Sequence, residues 1–505
     1  MVLRYVPEYA EAIENRENAD ANIALVPLET ARPSPQVPEV ASVYKSQEDD
    51  DELLDDEGED DEEESDRLET PSPTPEPTPS PTPVPTPSPA PTPDKTSAPL
   101  RFRMEDGRRF RVEQRREGDI LWTTVSAWKR GDRQGVRYAP FPIYLSHDPI
   151  DPYIVYRLIE PGYESWRNMG LYQRELSSYD ESVIVTNRAN HLGCVNCHTF
   201  DRRDPQRMLF HARGQGGGTV FTDGDQVRIL NLASVGPQRQ GTYPAWHPDG
   251  RYVVFSSNDT RQCFTVRNCQ PIEVYDTTSD LIVFDTATDS VQLLVSTPDR
   301  LETFPTWSPD GRMLYWCEAV DAGRLPQERG QFHYRLMAAP FADGTLSGEA
   351  REIFGNDTLS LSFPRLNGRW LLLTAARFGT FPIWHPEADL LLLDLESGTV
   401  RPVDELNSDQ ADSYHSWSSE GHWVVFSSRR LDGRYTRLFL SHFDGEGHFS
   451  KPFLLPQPDP DDNQLRLKSY NIPEFVTGRV PGREAAVAAL FPDEGAQNLN
   501  KEDRR

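Results

Sequence analysis

From residue 100 onwards the chain runs as short apolar stretches in which hydrophobic and polar positions alternate, the period expected of half-buried strands. Arg101-Phe-Arg-Met104 and Arg109-Phe-Arg-Val112, on either side of Glu105-Asp-Gly107, predict a hairpin with apolar and basic residues on opposite faces. Ile120-Leu-Trp-Thr-Thr-Val125 and the run from Val136 to Tyr144 predict further strands. Between Ile154 and Leu176 the apolar spacing is irregular and aromatic-rich, and a short helix is expected around Glu164 to Gln173. Met208 to Leu232 returns to strand-like alternation.

Beyond that point the pattern repeats. Tyr243-Pro-Ala-Trp246-His-Pro-Asp-Gly250-Arg-Tyr-Val-Val-Phe255 is matched by Phe304-Pro-Thr-Trp307-Ser-Pro-Asp-Gly311-Arg-Met-Leu-Tyr-Trp316. A third copy, Phe363-Pro-Arg-Leu-Asn-Gly368-Arg-Trp-Leu-Leu-Leu373, has a shorter turn, and a fourth runs Tyr414-His-Ser-Trp417-Ser-Ser-Glu-Gly421-His-Trp-Val-Val-Phe426. The glycines fall 61, 57 and 53 residues apart, a period that signals radial or stacked repeats. Each copy joins an aromatic start and a Trp to a turn with glycine, then to an apolar strand. Second hairpins lie between copies, as in Leu281 to Leu294 and Asp389 to Val400, giving four strands per unit, which is a propeller blade. Four copies are explicit, Met208 to Leu232 is part of a fifth, and the sixth is expected from the lead-in or from closure by Leu465 to Phe475.

Residues 1–99 are of another kind. Some helix is expected around Tyr9 to Asn22. Glu48 to Glu69 holds sixteen acids against the single Arg67, so this stretch carries 15 of the 28 net negative charges of the chain and is solvated rather than packed. Thr70 to Pro93 alternates Thr-Pro and Ser-Pro, which favours a polyproline II spacer roughly 75 Å long at ~3.1 Å per residue; a disordered tail is the equal alternative. Domain boundaries follow: 1–99 a disordered acidic and Pro-rich linker region, 100–205 a β-containing lead-in, 206–478 the propeller, and 479–505 a polar tail.

The chemistry is concentrated in Cys194-Val-Asn-Cys197-His198. Two thiols at this spacing, followed by His, suit covalent attachment of a c-type haem, with Cys194 and Cys197 as thioether positions and His198 as the proximal iron ligand. His211 is the favoured sixth ligand over Met208, since strand positions three apart face opposite ways. The competing roles for His211 are a polar residue on a blade surface, with His191 as the next ligand or five-coordinate iron. For the Cys motif itself the alternatives are zinc, a disulfide or an unmodified pair. Cys263 and Cys269 remain as a candidate short-loop disulfide, with Cys317 left inside an apolar strand. His247, His415 and His422 lie in or beside the repeated turns and read as packing or hydrogen-bonding residues, although Tyr414 and His415 are candidates for the channel wall. Arg429 and Arg430 either face that same region or form a charged turn.

The Trp-Ser/His-Pro-Asp-Gly-Arg repeats resemble those of TolB-type propellers, distant relatives of the WD-repeat propellers. The wider stretch from about 140 to 478 resembles a group of bacterial extracytoplasmic TolB-like proteins that carry one Cys-x-x-Cys-His ahead of the blades and are related to cytochrome c. The carrying residues include Asp151 to Tyr163, Cys194 to Phe200, Met208 to Gly214, Ala411 to Trp417 and Lys468 to Phe475. The resemblance implies an all-β, six-bladed propeller and one haem c. It further implies a periplasmic or cell-surface location, although Met1-Val-Leu-Arg-Tyr-Val-Pro shows no signal-peptide pattern. The function expected is electron transfer or redox sensing with a protein redox partner docked on the propeller. The alternative is a non-redox propeller that binds a polypeptide or glycan at its face, with the Cys pair structural.

Other classes find less support. The chain has no Gly-x-Ser-x-Gly elbow, and an enzymatic role is not expected. Gly214-Gln-Gly-Gly-Gly218 lacks the Lys-Ser/Thr of a phosphate loop and reads as a turn. The propeller carries no basic stripe, so no nucleic acid is expected. No apolar run is long enough for an integral membrane span, and a monomer is expected.

Overall fold

A computed structural model describes residues 100–103, 107–160, 168–214, 216–230, 232–236, 241–264, 272–320, 332–459 and 461–491. The helix expected near Tyr9, the Thr-Pro and Ser-Pro spacer and Cys269 fall outside these residues. The hairpin expected at the start is present: Leu100–Arg103 pairs antiparallel with Arg109–Glu117, which pairs with Ile120–Trp128 in a five-stranded sheet completed by Val136–Arg137 and Phe141–Tyr144.

The described residues then form six blades around one axis. Blade 1 runs Val195–Phe200, Arg207–Ala212, Gly218–Asp223, Gln226–Leu230. Blades 2, 3, 4 and 5 begin with the inner strands Thr242–Trp246, Arg300–Trp307, Ser360–Asn367 and Asp412–Trp417, the four explicit copies of the repeat. Blade 6 is composite. Its inner strand Ser469–Val476 comes from the far end of the chain and pairs with Tyr153–Ile159, followed by Met169–Glu175 and Glu181–Thr186. The sixth unit therefore draws on both expected sources, and blade register alone, Glu474 against Val155 and Phe475 against Ile154, locks the ring shut.

One boundary moves and one element changes type as a consequence. The ring takes in residues 153–200, so the lead-in proper ends near residue 150. The helix expected up to Gln173 is instead strand from Met169, because Leu171 and its neighbours bury a flat face in the core between blades 6 and 1. The first part of that helix, through Arg167, lies outside the described residues.

The core is distributed between blades rather than gathered at one centre. Each of six apolar clusters joins neighbouring blades: Leu209 and Phe221 with Phe255 and Phe284 between blades 1 and 2, for example, and Tyr156 and Phe475 with Trp423 and Leu440 between 5 and 6. Burial of a side chain of this size contributes about 1.5–3 kcal/mol, and here it is available only when two blades meet. The conserved spacing of the repeat adds directional links. Trp307 Nε1 donates to the Ala245 carbonyl at 3.1 Å, and Trp417 Nε1 to the Arg365 carbonyl at 3.2 Å, each reaching one blade back.

The turn glycines fill the same role between blades. Gly311 has φ +71°, and a Cβ built there lies 2.3 Å from His247 Nε2, whose ring bonds the Gly311 carbonyl at 2.9 Å. Gly311→Ala is expected to lower stability by about 1–3 kcal/mol through the positive φ alone, with added displacement of His247; the denaturant midpoint measures it, and an unchanged midpoint would contradict this account of the turn.

Candidate binding site at the mouth of the central channel

The six inner strands share a backbone feature. Cys197, Tyr243, Phe304, Phe363, Tyr414 and Ile472 all have φ between 48° and 53°, one in each inner strand, and in all six strands the ladder register slips at that residue. For an L-residue the left-handed region costs roughly 1–2 kcal/mol, so the kink persists only because the surrounding ring imposes it. Its effect is to turn one side chain per blade towards the axis. Four of these are aromatic and stack in succession, with ring centroids 4.2 Å apart for Tyr243 and Phe304, 4.3 Å for Phe304 and Phe363, and 4.9 Å for Phe363 and Tyr414.

Cys197-His-Thr-Phe200 is thus the structural counterpart of Tyr243-Pro-Ala-Trp246, and Ile472-Pro-Glu-Phe475 the counterpart in blade 6. The Cys-x-x-Cys-His stretch is itself an inner-strand copy of the repeat. The aromatic stack is broken where blades 6 and 1 meet, by Ile472 and Cys197, and a cavity of about 100 Å³ opens beside the break. Its wall includes Cys194, Cys197, His211, Arg213, Arg157 and Arg429, with Trp384 and Tyr243 among its aromatic residues. The lining comes from the starts of inner strands and from the connections between second and third strands, which lie at one end of the ring. A long hairpin of blade 2, Tyr252–Phe264 with Ile272–Asp285, contributes Thr260 and Val274 to the same wall. Glu273 of this hairpin meets His385 of blade 4 at 3.0 Å.

The approach to the strand is tightly built. A short 3-10 turn, Asn187–Asn190, ends at His191 in the left-handed region. Asn190 Nδ2 donates to the Arg213 carbonyl at 3.0 Å, and Gly193 passes so close to that carbonyl that a Cβ would lie 2.0 Å away. His191 is held elsewhere, its Nε2 against the Phe491 carbonyl at 2.8 Å. Cys194 and Cys197 are both buried free thiols. Burial pushes the Cys197 thiol up to about 11 and raises that of Cys194, so both are neutral near pH 7.

The histidines separate. His211 faces the cavity: Arg213 Nε donates to its Nε2 at 3.2 Å, its Nδ1 has no partner, and burial holds the ring neutral. Met208 points the other way, into the core between blades 6 and 1, as the strand period required. His198 is not part of the cavity wall. It occupies the position held by His415 in blade 5, whose Nε2 bonds the Leu372 carbonyl of the preceding blade at 2.9 Å, and like it lies between blades. Burial lowers the His198 pKa to about 3, with the backbone of Val155 in blade 6 opposing that shift.

The cavity is cationic. Arg157 is 5 % exposed and Arg429 is 4 % exposed, and the Nε of each is buried without a partner. Arg429 stacks on Trp384 with 3.4 Å from its guanidinium carbon to the ring centroid and donates to the Arg434 carbonyl at 2.7 Å. Burial brings its pKa down to about 9. Among the described residues neither Arg157, Arg213 nor Arg429 forms an ion pair, and Glu160 is the single acid of the wall. Arg430, next in sequence, turns away and pairs with Asp412 at 2.7 Å. Buried guanidinium groups without carboxylates are costly, and an anion entering the cavity removes that cost.

For a c-type haem the donor chemistry fits and the room does not. Two thiols and an imidazole line the cavity, and the His198 ring follows Cys197 directly in the same strand. Cys194 and Cys197 would hold the group and His198 or His211 its iron, with redox chemistry supplied by the bound iron. The cavity, however, is below the roughly 300 Å³ of ordinary ligand pockets.

No protein-family model matches the chain, and no curated protein matches it. Among solved structures it is similar to a puromycin hydrolase S511A mutant complexed with PGG, at 15 % identity and TM-score 0.37 over 60 % of this chain, spanning about half, 52 %, of that one. It is also similar to a chain of a nidogen/laminin complex, at 10 % identity and TM-score 0.36 over 64 % of this chain and 99 % of that one. The tricorn protease gives 10 % identity and TM-score 0.36 over 71 % and 44 %. The described residues contain no helix long and apolar enough to cross a membrane.

Two outcomes follow from these pKa values. Iodoacetamide is expected to leave Cys194 and Cys197 unlabelled in the folded protein at pH 7, with reaction accelerating as pH approaches about 11; rapid labelling at pH 7, read by peptide mass, would contradict neutral buried thiols. His385, opposed by burial but held by Glu273 and Glu387, has its pKa raised to about 9 from an ordinary 6.5. Its stabilising contribution is therefore complete below about pH 6.5 and lost as pH rises through about 9. The stability gap between wild type and His385→Asn should close over that interval, and a gap constant with pH would refute the pairing.

Proposed function

We propose that the protein is a ligand-binding propeller that captures a carboxylate of a polypeptide partner at the mouth of its channel. The observation that carries this reading is the set of three arginines, Arg157, Arg213 and Arg429, facing one cavity without ion-pair partners. The cavity size suits a carboxylate and the residue bearing it, and the apolar lining of Met169, Ile383 and Trp384 favours an apolar one. In this role Arg213 and Arg157 neutralise the anion, Arg429 on Trp384 closes the far wall, and the neutral thiols and His211 supply polarisable and polar contacts.

A second reading keeps the c-type haem, in electron transfer or redox sensing outside the cytoplasm. It is supported by the two free thiols of Cys194 and Cys197 beside the His211 imidazole on the cavity wall. One comparison separates the two. The full chain, expressed behind an export signal with a c-type maturation system, is examined by intact mass and then titrated with a short apolar peptide carrying a free C-terminal carboxylate and with its amidated twin. The carboxylate reading expects no haem mass, binding of the free peptide roughly tenfold or more tighter than the amide, and loss of that difference in Arg213→Gln. Equal binding of both peptides, or of neither, overturns it, and covalent haem assigns the cavity to the second reading.

A further inference from the structure

At the end of the ring opposite the cavity, three side chains converge that the channel site does not use. His422 lies in the turn that opens the second strand of blade 5, Trp423–Ser428, and His442 closes the third, Arg437–His442. Asp148 arrives from the lead-in, four residues past the strand Phe141–Tyr144. One ligand atom from each lies within 4.8 Å of the others, and Asp148 Oδ2 is 2.6 Å from His442 Nε2. The two imidazoles are nearly parallel, with centroids 6.3 Å apart and planes 10° from each other.

The trio is held from behind. Ser146 Oγ donates to Asp148 Oδ2 at 3.2 Å, Trp423 Nε1 donates to the Asp148 carbonyl at 3.3 Å, and the Trp423 ring packs edge-on against His442. It stays open in front, with the His442 side chain 25 % and the Asp148 side chain 40 % exposed. The hydrogen bond with His442 is the leading cause that holds the Asp148 carboxyl below its ordinary range, so it is ionised at neutral pH. The His442–Asp148 contact alone leaves His422 unexplained, since among the described residues its ring makes one hydrogen bond, a long 3.4 Å contact with the Phe443 carbonyl.

We propose that Asp148, His422 and His442 bind one zinc-class divalent cation that clasps the lead-in to blade 5. Two imidazole nitrogens and one carboxylate oxygen suit borderline ions such as zinc rather than calcium or magnesium, and three protein ligands leave a coordination position for water. The same joint has a metal-independent link, Asp151 accepting from the Ser419 amide at 2.7 Å and from its hydroxyl at 2.6 Å, so the lead-in remains docked when the ion is removed.

The full chain is stripped with chelator, dialysed against zinc chloride and assayed for metal per chain. Wild type and a Cys194→Ser/Cys197→Ser variant are expected to retain one equivalent, and His422→Ala and His442→Ala to lose it. In the cobalt-substituted wild type the visible bands of a low-coordinate site should appear without a near-ultraviolet thiolate-to-cobalt band, which reports the site even if one variant folds poorly. No retained zinc in wild type, unchanged zinc in both His variants, loss in the Cys variant, or a thiolate band would each overturn the proposal.

Discussion

The left-handed kink in every inner strand is the constraint on which the molecule turns. It costs free energy at six residues, and none of the six is glycine. What offsets it is closure: each kink aims a side chain at the axis, where neighbouring side chains pack, and the preceding blade supplies a carbonyl for a Trp or His of the repeat. A single blade has neither partner. The strain and its compensation therefore appear together, when Ser469–Val476 pairs with Tyr153–Ile159 and the last interface forms.

Four blades were legible because their kinks carry Tyr or Phe followed by Pro or His and then Trp or Leu, a pattern strong enough to align without structure. The inner strands of the other two were not, since Cys197-His-Thr-Phe200 and Ile472-Pro-Glu-Phe475 keep the geometry while changing the chemistry. The first hid behind a better-known motif. Its tell-tale signs were Phe200 at the Trp position and His198 at the position of His415. The helix expected around Glu164 to Gln173 gives way to strand from Met169 for a related reason: the irregular, aromatic-rich spacing carries no alternation, because Tyr172 and Leu171 serve opposite faces of a strand buried on both sides, where tertiary packing overrides local pattern.

Site residues divide the same way. The two-residue period puts His211 and Met208 on opposite faces of their strand, and the cavity takes the first while the core between blades 6 and 1 takes the second. Arg157, Arg213 and Trp384 were not singled out, because nothing local marks an arginine whose carboxylate partner is missing; that is a property of the assembled ring. Arg429 was set beside Arg430 as one pair, but residues adjacent in sequence diverge at a strand end, one to the cavity and one to Asp412.

The position of Cys197 links fold to function. A kinked inner-strand position turns its side chain to the axis whatever that side chain is, so replacing an aromatic ring by a thiol both removes volume and leaves a neutral thiol in the space vacated. The following residue, by the same backbone geometry, is turned between blades, which is why His198 lies apart from the cavity that its neighbour lines. Chemistry at this mouth therefore begins from Cys194, Cys197, His211 and the three arginines, groups that arrive from separate strands.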